Sequence, residues 1–220
     1  MQRIPEPELM DGVAQAMAYA EADFAEPDTR FLQSFEEFFG TGFTGEIADL
    51  GCGPGNITFR LAQACHTCRI TGIDGARSML DIARERVTAG LPGAERTCFV
   101  EARLPDTSLL AHRFGAVVSN SLLHHLYDPM VLWSTVAHIA KPGAAVLIAD
   151  LRRPVSLDAA QHLTETYAAN APEVLRSDFH CSLLAAFEPA EVEEQLTDAG
   201  LEGLRVRAVG DRHLEVWGRL

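Results

Sequence analysis

Three glycines at alternate positions, Gly51, Gly53 and Gly55, lie between Asp49 and Asn56 in the run Asp49-Leu50-Gly51-Cys52-Gly53-Pro54-Gly55-Asn56. An apolar stretch ends at Leu50, and a helix-patterned stretch begins at Asn56. Glycine lets a backbone come close to a ligand, and a helix start offers unpaired N–H groups to the ligand's polar end. The chemistry this supports is capture of a nucleotide-like molecule. The spacing also discriminates: a dinucleotide fingerprint, Gly-x-Gly-x-x-Gly, needs glycine at position 56, where Asn56 stands. Asp74 follows 19 residues after Gly55, at the end of a second apolar run. A carboxylate there can accept hydrogen bonds from both hydroxyls of a ribose.

Other residue types point to proton transfer. His124 and His125 follow the apolar run 116–120, and Tyr167 and His180 lie further along. Any of them can take a proton from an acceptor that must lose one, though a histidine near a sheet edge is also a common packing residue. Arg152, Arg153, Arg176 and Asp178 can orient a charged substrate or serve as solvated surface. Cys65-His66-Thr67-Cys68 has the spacing of a redox or zinc site. No second pair of ligands stands at zinc spacing, so no metal is expected. The five cysteines are an odd number in a chain without an export pattern, so free thiols and no disulfide are expected.

The elements that must position these groups alternate in kind. Strand patterns cover 46–50, 69–73, 97–101, 116–120 and 145–150, and helix patterns cover 56–64, 77–89 and 128–140. Lys141-Pro142-Gly143 is expected as the turn into the fifth strand. Strands alternating with helices predict an α/β fold, a doubly wound, mostly parallel sheet covered on both faces. Helices are expected over 14–24 and 29–39, separated by Glu26-Pro27-Asp28, which makes 1–42 an N-terminal helical cap on a domain spanning 43–220. The stretch 151–187 breaks the alternation with helical, polar-rich sequence just past the fifth strand, the edge where such sheets bind ligands. A lid is expected there. Glu188-Pro189 opens one more helix, and strands over 203–209 and 213–218 finish the chain as a hairpin, the last antiparallel.

Composition narrows the partners. A net charge of −13 over 220 residues repels phosphate backbones and anionic membranes, and no Lys/Arg run reverses it locally. Neither nucleic acid nor a membrane surface is expected as partner. No apolar run approaches the roughly 18 residues that cross a bilayer, and the first residues lack a secretory pattern. A cytoplasmic location is expected.

With these residues in view, the chain resembles the class I S-adenosylmethionine-dependent methyltransferases over residues 43–220. Segments 72–80, 99–105, 114–129 and 141–143 match the family's later motifs in the right order. The resemblance implies a Rossmann-like, seven-stranded sheet and S-adenosylmethionine as cofactor. It implies that Asp74 holds the ribose, that Met79 packs on the adenine, and that Glu101 stands where an acid holds the adenine amino group. Asp49 would fix the methionine amino end. Gly51, Cys52, Gly53, Gly55 and Asn56, with Gly75, Ala102 and Asn120, complete the implied cofactor site. His125 matches a position often occupied by histidine. Ala76, Gly115 and Ala144 depart from the family's usual residues without removing a group the reaction needs. The Asn/Asp-Pro-Pro-Tyr/Phe motif of enzymes that methylate amide or exocyclic amino nitrogens is missing after the fourth strand, where Asn120-Ser121-Leu122-Leu123 stands. The expected activity is in-line methyl transfer to a small molecule. The alternatives are a binding module without turnover and a protein or RNA methyltransferase.

Overall fold

The computed structural model describes residues 1–7, 11–111 and 114–220; residues 8–10 of the expected cap lie outside them. Seven strands form one sheet in the order β3-β2-β1-β4-β5-β7-β6. Strands β1 (Gly45–Leu50), β2 (Cys68–Asp74), β3 (Thr97–Glu101), β4 (Phe114–Asn120) and β5 (Ala140–Leu151) run parallel. The hairpin of β6 (Leu204–Val209) and β7 (His213–Arg219) inserts β7 beside β5, antiparallel to both neighbours. The order turns back between β1 and β4, which opens a crevice at their carboxyl ends. This is the doubly wound, mostly parallel sheet that the alternating pattern predicts.

The helices start where local chemistry allows. Helix α3 (Asn56–Ala64) begins directly after Gly55, whose φ of 86° only glycine adopts without strain. Helix α8 (Pro189–Asp198) carries proline in its first turn and a capping box in which Glu188 and Glu191 exchange side-chain and backbone bonds. Helices α1 (Val13–Glu21) and α2 (Ala25–Phe39) replace the expected pair. Pro27 does not separate them, because it sits in the first turn of α2, where its missing N–H is no loss. The last helices are α4 (Arg77–Thr88), α5 (Met130–Ile139), α6 (Leu157–Tyr167) and α7 (Glu173–Ala185).

The period-2 alternation of the strands divides the core in two. Ala48, Leu50, Val117, Val146 and Ile148 face one layer, with Trp133 and Val136 of α5 and Val192 of α8. Ile47, Ala116, Val118 and Leu147 face the other, with Phe31 and Phe35 of α2 and Ile57 and Leu61 of α3. Burying a side chain of this size contributes about 1.5–3 kcal/mol, so the two layers hold the crevice rigid. Helix α1 packs on α4 through Ala16 and Met79, and α6 and α7 share a small core of Leu163, Leu183 and Ala186.

Two expectations are corrected. Lys141-Pro142-Gly143 does not end before β5 but lies within it as an exposed bulge: Phe114 pairs with Ala140 and Ala116 with Ala145, so residues 141–144 face one partner residue. Cys65 and Cys68 are joined by a disulfide, contrary to the expectation of free thiols; the end of α3 and the start of β2 bring their Cα atoms to 5.4 Å. Among the described residues no helix is long and apolar enough to cross a membrane.

Candidate active site

The glycine loop links β1 to α3 at the sheet's crevice. Gly51 has φ of 68°, and a Cβ there would lie 2.8 Å from the Leu122 side chain. Gly53 has φ of 53° and faces open space in the cavity. The loop is pinned at both ends. Gly51 and Cys52 donate their N–H groups to the Ile73 carbonyl at 2.8 and 3.2 Å. Asp74 accepts the Gly53 N–H at 2.7 Å through Oδ2 and the Ala76 N–H at 2.7 Å through Oδ1. Burial pushes the Asp74 carboxyl up, partly offset by those backbone donors.

Beneath the loop, Asp49 is 1% exposed and accepts the Thr58 hydroxyl at 2.6 Å. Burial raises it to about 7, with the Asp74 charge adding to the shift. A buried carboxyl next to the half-buried Asp74 charge favours a positively charged group beside Asp49.

A cavity of about 740 Å³ begins at these residues and extends under the insert, past Leu175, Asp178 and Phe179 of α7. Asp178 is tied to α1 by a 2.7 Å hydrogen bond from the Gln15 amide. Below this roof, after β4, Ser121 takes φ of 61°, rare for a non-glycine residue, and starts the short turn Leu123–His125. His124 is 3% exposed and its Nδ1 lies 2.5 Å from Asp150 Oδ1 at the end of β5. Asp150 also accepts the N–H groups of Leu123 at 2.7 Å and Leu151 at 2.6 Å. Burial opposes charge on His124, but Asp150 and Glu6 outweigh it and the imidazole stands above its ordinary value. Burial and the neighbouring His124 lower His125 to about 3, so it is neutral at pH 7.

The structure gathers Asp49, Gly51, Cys52, Gly53, Asn56, Asp74, Gly75, Met79, Ala102 and Asn120 around one cavity, with His124, His125 and Tyr167 on its further wall. Gly55 stands behind it against Phe59 and Phe99, with a structural role. Glu101 pairs with Asp74 across the sheet but is exposed and does not line the cavity. Tyr167 donates its hydroxyl to Asp211 at 2.7 Å under the Arg212 guanidinium, turned to the β6–β7 link. His180 meets Thr164 between α6 and α7. Arg152 donates to the Gly210 and Asp211 carbonyls, and buried Arg153 pairs with Glu188 and Glu191, so both fasten the insert.

Four residues escape sequence reasoning. Arg86 of α4 donates to the Pro54 carbonyl at 2.8 Å, Asn56 Oδ1 at 2.7 Å and the Ala20 carbonyl at 2.9 Å, clamping the glycine loop. Arg3 donates to the carbonyls of His124 and Leu126 at 2.8 Å each and of Ala185 at 2.5 Å. Glu6 accepts from Ser182 and faces both histidines. Asp150 holds His124. An acid ending a fifth strand is a usable signal for Asp150; the other three have none in local pattern.

A family model described as a methyltransferase domain matches residues 47–143. The chain is 28% identical over 113 residues to a ubiquinone biosynthesis O-methyltransferase of Haemophilus ducreyi, covering 50% of this chain and 47% of that protein. It is 28% identical over 172 residues to a trans-aconitate 2-methyltransferase of Afipia carboxidovorans, covering 78% and 59%. The chain thus spans about half the length of these curated relatives. Among solved structures, the plantazolicin methyltransferase BpumL in complex with SAH superposes with a TM-score of 0.70 at 14% identity, over 94% of this chain and 90% of that one. That similarity speaks for the fold.

Proposed function

We propose that the chain, whose residues 47–143 match a methyltransferase-domain model, is a class I S-adenosylmethionine-dependent methyltransferase that transfers the methyl group to a small molecule. The observation that carries this reading is the single cavity running from Asp49, Gly53 and Asp74 to the helical insert. It has room for a nucleoside-sized ligand and a second molecule beside it.

The residues fit the cofactor. When bound, S-adenosylmethionine supplies a methyl carbon activated by its sulfonium. Asp74 presents its carboxylate to the ribose hydroxyls while its bond to Gly53 holds the loop in register. Asp49 faces the amino-acid end, where an ammonium relieves its buried charge. Met79 and Ala102 pack beside the adenine, and Asn120 borders the passage to the acceptor. Helices α6 and α7 exclude water and align the acceptor in line with the methyl group. If the acceptor must release a proton, the His124–Asp150 pair is the group placed to hold it, whereas His125, lowered to about 3, is too weak a base to keep one. The acidic surface and the roofed cavity favour a small acceptor over a polymer.

S-adenosylhomocysteine should raise the melting temperature, and methyl-labelled cofactor should label a product in the small-molecule fraction of a metabolite extract. No melting shift at saturating ligand refutes cofactor binding. A shift with label only in protein or RNA, or with none anywhere, refutes the acceptor class or the turnover.

A further inference from the structure

We infer that Glu6, His124 and His125 form a three-ligand site for a divalent transition-metal cation, zinc being the best match. Glu6 Oε1 lies 3.5 Å from His124 Nε2 and 3.2 Å from His125 Nδ1. The three ligand atoms all fall within 4.8 Å of one another. Metal bonds of about 2.0–2.1 Å in tetrahedral geometry place ligand atoms about 3.3 Å apart, which the two Glu6–histidine separations already match.

Each imidazole is oriented by its other nitrogen. His124 turns Nδ1 to Asp150, which aims Nε2 at Glu6. His125 bonds to the Pro7 backbone, and its buried Nδ1 has no hydrogen-bond partner, so the Pro7 bond uses Nε2 and the Nδ1 lone pair points at the cluster. Backing by a carboxylate or a backbone carbonyl is the usual arrangement behind metal-bound histidine. Ser182 fixes Glu6 with a 2.9 Å hydrogen bond. Arg3, the cation beside the cluster, spends its donors on main-chain carbonyls instead. Two imidazoles and one carboxylate suit zinc or a neighbouring transition metal and are poor for calcium or magnesium, which prefer oxygen.

The cluster stands in the wall between the main cavity and a smaller one of about 360 Å³ lined by Glu6, His125, Asp178 and Cys181. The site stands whether or not the chain transfers methyl groups, and its test reads metal, not turnover.

Untagged protein, stripped with a chelator, is titrated with Zn²⁺ against a chromophoric chelator and with Co²⁺ by absorption. The expected result is one tight equivalent, a cobalt spectrum free of thiolate charge transfer, and a higher melting temperature. Glu6→Gln and His125→Gln, each verified as folded by circular dichroism, should weaken binding by about 100-fold or more, beyond the effect of an outer-shell change. Cys65→Ser/Cys68→Ser should keep it. The inference is overturned if folded wild-type protein takes up no equivalent, if both Glu6→Gln and His125→Gln bind as wild type, or if the spectrum shows thiolate ligands.

Discussion

Asp74 and Gly53 are joined by a 2.7 Å hydrogen bond from the loop amide to the carboxylate. The acid that ends β2 thus shapes the loop that follows β1, in addition to facing the cavity. Replacing it with alanine removes the proposed ribose contact and leaves the Gly53 and Ala76 amides without their acceptor. Asp74→Ala should weaken S-adenosylhomocysteine binding by about 30-fold or more and destabilise the free protein by about 2 kcal/mol. Calorimetric titration and urea melts check both. Wild-type affinity would remove Asp74 from the site.

Buried Asp49 and half-buried His213 give stability opposite pH slopes. Asp49 is raised to about 7, so between its unfolded value near 4 and pH 7 the folded state binds more protons, and stability falls as pH rises. His213, at the far wall of the cavity, is lowered to about 4 by burial and by the Arg212 and Arg30 charges. Between that value and about 6.5 the folded state binds fewer protons, and stability falls as pH drops. Asp49→Asn should therefore stabilise the free protein at pH 8, by on the order of 3 kcal/mol, while weakening ligand binding. His213→Gln should remove a loss of up to about 1.4 kcal/mol per pH unit below pH 6.5. Urea melts at pH 5, 6.5 and 8 separate the two; unchanged slopes would contradict the assignments.

Arg86 fastens the glycine loop to the end of α1 through three acceptors. Arg86→Leu keeps most of the stem's packing and removes the clamp. Hydrogen exchange at the Gly53, Gly55 and Asn56 amides should speed up about tenfold, with a comparable loss of ligand affinity. Exchange unchanged within error would mean that Arg86 does not hold the loop and that the loop's bonds to Asp74 and Ile73 suffice.

Local pattern carried the parts of this molecule whose causes are local. The runs of strand and helix pattern foretold β1 to β7 because burial on both faces makes a strand a short continuous apolar run, with Ile47 in one layer and Ala48 in the other. Asp49 and Asp74 were legible because each sits at the end of a strand, and Gly53 because the turn after β1 demands a glycine. Glu6, Arg3 and Arg86 were not, since their partners lie far along the chain and only the packed fold brings them near. Proline misled twice for one reason. At Pro27 and Pro142 a residue that usually interrupts structure sits where no backbone donor is needed, in a helix's first turn and in an exposed bulge.

The position of β7 bears on how the chain assembles. Residues 213–219 pair with β5 on one side and β6 on the other, although β5 is complete 62 residues earlier, at Leu151. During synthesis the β5 edge, with apolar Val146, Leu147 and Ile148, stays unpaired until the final hairpin docks. Contacts this distant in sequence form late, and an open apolar edge is a template for association with other chains. A chain truncated before His213 should therefore aggregate rather than fold with a shortened sheet, and the β6–β7 hairpin acts as the plug that closes the β5 edge.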